Sequence, residues 1–131
     1  MILMEKKEIE SEINKINTFL LKCSWMDFHL VQMDPYSVKM SGSIDESFIS
    51  PAIEIVFEHV HFISTLFEWT IDKSKPFIQL VSENEDYKYT NMFNVEIDNY
   101  IFKMNIDGIR EGAMIIASKK IHCNILNEHP F

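Results

Sequence analysis

His59 and His61 stand two residues apart in the run Ala52-Ile-Glu-Ile-Val-Phe-Glu-His-Val-His-Phe-Ile63. The run alternates as a half-buried strand does, and side chains at i and i+2 of a strand point the same way. Two imidazoles on one face are the beginning of a metal site or a proton relay. Zinc or iron would need further ligands, and Glu54, Glu58, Glu68, His29 and His122 are the candidates. No local sequence supplies the third ligand. The pattern favours histidines that serve the strand, its polar face carrying Glu54 and, past a bulge near Glu58, the two imidazoles. No metal and no cofactor is expected.

Two further groupings could carry chemistry. In Trp25-Met-Asp27-Phe-His29, Asp27 and His29 would share a strand face, a pairing that can orient an imidazole. The plainer reading is junction capping and polar surface. In Ser82-Glu-Asn-Glu-Asp-Tyr-Lys-Tyr-Thr90, the acids Glu83, Glu85 and Asp86 are interleaved with Tyr87 and Tyr89. Read as a loop, this segment is a candidate docking surface for a basic protein, because tyrosine gives contact area at low entropic cost and acids steer basic partners. The same loop is otherwise a solvated connection.

Several chemistries are excluded by what is missing. The three glycines, Gly42, Gly108 and Gly112, form neither a phosphate-cradling loop nor a dinucleotide fingerprint, and there is no Gly-x-Ser-x-Gly elbow. Cys23 and Cys123 form no Cys-x-x-Cys pair and read as two reduced, half-buried thiols, with a single bridge as the alternative. His122 and Cys123 are neighbours on a strand and so face opposite sides. The formal charge is −8, from 20 acidic and 12 basic residues, and Arg110 is the only arginine. A nucleic-acid or anionic-membrane partner needs a basic stripe, so neither is expected. No apolar run approaches the ~20 residues of a membrane span. The N-terminus becomes charged at Glu5-Lys-Lys-Glu8 before any signal-peptide core, which points to the cytoplasm.

The 131 residues are long enough for one domain, 1–131, and too short for two. Ile9, Ile13, Ile16, Leu20 and Cys23, with Ile2 before them, make one apolar stripe and predict a helix over Leu3–Lys22. Glu12 and Lys15 can pair across one turn. Beyond Trp25 the chain reads as some eight short strands. Asp34-Pro35-Tyr36 should turn Phe28–Met33 onto the alternating Ser37–Ile44. Leu66–Ile71 and Phe77–Val81 flank the turn Asp72–Pro76. Asp98-Asn99 predicts a hairpin pairing Val95 with Phe102 and Phe93 with Met104. Gly112–Ser118 and Ile121–Leu126 read as a last hairpin around Lys119-Lys120, with a short helix over Ile109–Ser118 as the weaker option. The fold class is α+β: an N-terminal helix packed on a curved antiparallel sheet, a sandwich or partly closed barrel.

The N-terminal helix, the Trp25-x-Asp27-x-His29 entry to the first strand and the Phe57-Glu-His-Val60 core of the long strand are similar to small acidic bacterial immunity proteins of toxin–immunity systems. The resemblance covers about half the chain. It implies neutralisation of a toxin by binding, without catalysis, and assigns no residue a role. The expected function is a non-enzymatic, immunity-like binding module for a basic protein partner, using Glu83, Glu85, Asp86, Tyr87 and Tyr89. A small barrel lined by the eight methionines and ten phenylalanines, taking an apolar ligand, is the alternative. A His-x-His metal enzyme comes third.

Overall fold

The computed structural model describes residues 4–44, 50–93, 98–110 and 113–131, without the side chains of 83, 86, 87, 92 and 93. The predicted helix forms α1, Lys6–Leu21, and buries Ile9, Ile13, Ile16, Phe19 and Leu20. Phe19 joins the anticipated stripe, and Ile2 lies outside the described residues. Glu12 and Lys15 approach to 3.9 Å. The helix ends where Lys22 and Cys23 N–H groups turn back to the carbonyls of Phe19 and Leu20. Lys73 then donates to the carbonyls of Cys23 and Ser24, placing a cation where the helix dipole is negative. Among the described residues no helix is long and apolar enough to cross a membrane.

β1 (Asp27–Met33) and β2 (Ser37–Ser43) form the hairpin that the turn residues predict. The Asp34 carboxylate accepts the backbone N–H groups of Tyr36 and Ser37, the local bond that makes aspartate a turn former. β3 (Ile53–Ser64) pairs with β2 on one side and with β7 (Met114–Ile125) on the other. β4 (Glu68–Thr70), β5 (Ile78–Leu80) and β6 (Tyr100–Met104) complete an antiparallel sheet in the order β4-β1-β2-β3-β7-β6-β5. The sheet curls into a half barrel. Ile71, just past β4, bridges Ile106, just past β6, so the two ends of the curl nearly meet.

Two anticipated elements differ. β7 is one continuous strand, not a hairpin about Lys119-Lys120. Those lysines offer no turn chemistry, and β3 provides a partner along its whole length, from Ile53 against Ile125 to Ser64 against Ile115. Of the hairpin expected about Asp98-Asn99, the pairing of Phe93 with Met104 does not form. Residues 94–97 lie outside the described residues, and Phe93 ends a helix, α2 (Glu83–Phe93). Phe102 and Met104 already have both edges occupied, by Leu80 and Ile78 of β5 and by Ile116 and Met114 of β7. β4 and β5, either side of the Asp72–Pro76 turn, go to opposite ends of the strand order.

α1 lies inside the curl. Ile9, Ile16, Met26, Phe28, Ile55, Phe57 and Phe102 have no exposed surface and belong to one apolar cluster with Met40 and Met104. Phe28 is stacked between Trp69 and Phe77, with ring centroids 5.8 and 4.9 Å away. The open edge of β5 is closed by a side chain: the Asn17 amide donates to Ile78 O at 2.9 Å and accepts Ile78 N–H at 3.1 Å. An amide reproduces the donor–acceptor pair of a neighbouring strand, and so satisfies an edge that would otherwise seek one.

Candidate interaction surface

The segment read as an acidic loop is a helix. Ser82 precedes it and Glu85 follows three residues later, the sequence spacing of a capping box, and Glu85 N–H donates to the Ser82 backbone carbonyl at 3.0 Å, a tight first turn. No glycine or proline interrupts residues 83–93. Acidic residues at the start of a helix also face its positive dipole end. The anchor is Tyr89, which is 5% exposed and packs in a second apolar cluster with Val81, Ile101, Ile115 and Ala117. Tyr89 therefore holds α2 to the sheet instead of meeting a partner. Glu83, Glu85, Asp86 and Tyr87 fall in the first turns, and of these only Glu85 has a described side chain. Its carboxylate lies 3.7 Å from Lys103, whose side chain is 12% exposed against 47% for Glu85. Lys88 sits over the Tyr89 ring, 5.7 Å from its centroid. Sequence reading missed Lys103, and the Ser-x-x-Glu start was the signal that could have revealed the helix.

On β3 the buried residues run Ile53, Ile55, Phe57, and Val60 and Ile63 then pack against the same core. The step from two to three falls at His59, whose φ is +54°. That left-handed conformation is uncommon for a non-glycine residue and histidine is among those that tolerate it. It is fixed by the β1–β2 turn: His59 N–H donates to Tyr36 O at 3.0 Å and Val60 N–H to Pro35 O at 2.9 Å. His59 and His61 both line a surface groove of about 210 Å³ with Asn99 and Lys119. The acids proposed as further ligands face elsewhere. Glu58 lies 3.2 Å from His122 Nε2, Glu54 3.7 Å from Lys39, and Glu68 is on β4 opposite His29. Among the described residues no group of three or more His, Cys, Asp or Glu side chains is placed to hold a metal ion.

Asp27 and His29 do share one face of β1, where the paired positions are Ser43 and Thr70 for Asp27, and Ser41 and Glu68 for His29. The Asp27 carboxylate accepts the Thr70 hydroxyl at 2.7 Å. This is a polar band across three strands. Ser41 and Ser43 are 3% and 0% exposed, so neither hydroxyl is open to a substrate as a nucleophile. Cys23 and Cys123 are free and buried. Burial pushes the Cys123 thiol up to about 11, with nearby Lys15 opposing and Glu12 adding to the shift. A thiol so placed is a poor nucleophile at neutral pH. His122, across from Glu58, also lies 4.0 Å from Glu12, tying α1 to the sheet.

No protein-family model matches the chain, and neither a curated protein nor a solved structure matches it.

Proposed function

We propose that this chain is a non-catalytic protein-binding module of the immunity type, which neutralises a basic partner by covering it. The observation that carries the reading is the anchoring of the acidic segment. Glu83, Glu85 and Asp86 fall in the first turn of α2, and α2 is held by buried Tyr89 and by the Glu85–Lys103 pair. An acidic patch on a fixed helix costs less entropy to dock than the same acids on a loop. The net charge of −8 adds long-range attraction for a basic protein and speeds encounter. The interior of the curl is filled by α1 and its apolar cluster, so the described methionines and phenylalanines at the centre serve the core.

The test is co-expression with a basic protein encoded beside this chain, captured through a tag on this chain. Binding should weaken steeply with salt, and a Glu83→Gln/Glu85→Gln/Asp86→Asn variant should lose about tenfold in association rate. Salt-insensitive binding, or undiminished protection by the triple variant, would remove α2 as the docking surface.

A further inference from the structure

We propose that the groove lined by His59, His61, Asn99 and Lys119 is a binding site for a small oxyanion group, such as a phosphate ester or a carboxylate presents. The site is separate from α2 and does not depend on the binding function proposed above. The chain is strongly acidic, with only 12 lysines and arginines among 131 residues. Yet the groove's lining residues include His59, His61, Lys119 and the largely buried Asn99, and among the described residues no acidic residue lines it. All four side chains can donate N–H bonds, and bonds to an ionised acceptor are about twice as strong as neutral ones. The ammonium of Lys119 also decides the sign of the ligand: it disfavours a metal cation at the His-x-His pair and favours an anion.

Two neighbouring acids, Asp34 and Glu58, are already committed. The Asp34 carboxylate, beside Pro35 at the groove wall, accepts Tyr36 N–H at 2.9 Å, Ser37 N–H at 3.0 Å and the Gln32 amide at 3.0 Å. Glu58 is turned to His122. The walls are set in advance, since the two backbone bonds from His59 and Val60 hold the β1–β2 turn against β3. Tyr36 meets the His59 ring edge-on at 6.4 Å between centroids, which limits its swing. Lys119 donates to Asp98 O at 3.1 Å, fixing its ammonium at the rim with N–H bonds to spare. A volume of about 210 Å³ leaves room for a tetrahedral or planar oxyanion with bridging water.

The experiment is NMR titration of the full chain at fixed pH and ionic strength with inorganic phosphate, with acetate and with chloride, following the imidazole and amide side-chain signals. Saturable shifts at His59, His61 and Asn99 at millimolar phosphate or acetate are expected, and whichever anion saturates names the source chemistry. Lys119→Met and His61→Gln, at half-buried and exposed positions, should each weaken binding by about tenfold without changing the melting temperature of the free protein. No saturable shift with either anion, equal shifts with chloride, or unchanged affinity in both variants would overturn the proposal.

Discussion

Replacing Asn17 by alanine should destabilise the fold through β5 alone. Asn17 makes two hydrogen bonds to the backbone of Ile78, one in each direction, and Ile78 has no exposed surface. Each bond contributes about 0.5–1.5 kcal/mol net, so their loss costs roughly 1–3 kcal/mol. Alanine is the better helix former by about 0.6 kcal/mol, which offsets part of this in α1. A net loss of about 1–2 kcal/mol remains, a sizeable share of the roughly 5–15 kcal/mol by which domains are stable. Asn17→Asp should cost more. A carboxylate can still accept Ile78 N–H but cannot donate to Ile78 O, and sets its charge against that carbonyl. Urea unfolding gives the two free energies, and native-state hydrogen exchange shows where they act. The Ile78 amide should exchange faster in both variants while core amides of β3 follow the global stability. If Asn17→Ala unfolds at the wild-type urea concentration with Ile78 still protected, the clamp contributes nothing and this account of the edge is wrong.

Gly42→Ala should cost about 1–3 kcal/mol, read as a lowered melting temperature, because a Cβ there would lie 2.8–2.9 Å from the buried side chains of Ile53, Met26 and Phe28. His59→Gly should stay within about 1 kcal/mol of wild type, since glycine relieves the left-handed strain but adds unfolded-state entropy, whereas His59→Val should cost roughly 1–2 kcal/mol. Purified protein should hold no stoichiometric zinc, iron or manganese, and a chelator should leave its melting temperature unchanged; one bound metal per chain would revive the enzyme reading. The Cys123 thiol, raised in the folded state to about 11, stabilises the fold fully below the unfolded thiol range near 9. That contribution, at most about 3 kcal/mol, is lost as pH rises through 11. Urea midpoints between pH 8 and 11 should therefore fall more steeply in wild type than in Cys123→Ala.

The sequence by itself determined what depends on near neighbours. The stripe Ile9, Ile13, Ile16 and Leu20 specifies α1, because a 3.6-residue period has one solution. Asp34-Pro35-Tyr36 specifies the β1–β2 hairpin, because aspartate satisfies its own turn. The alternation from Ile53 to Phe57 specifies β3, and the changed spacing near Glu58 foreshadows the His59 kink. Helix followed by strands was enough to read α+β. The tertiary structure alone decided which edges meet. A strand has two open edges and its sequence carries one hydrophobic pattern, so Phe102 opposite Val95 and Phe102 between Leu80 and Ile116 look equally good until every other strand is placed. The same holds for β7, which stays straight through Lys119-Lys120 only because β3 is equally long. It holds for α2, whose polar residues become a helix once Tyr89 finds the second core. Asn17 gained its role from a strand sixty-one residues away. No local period or turn signal reports a contact at that distance.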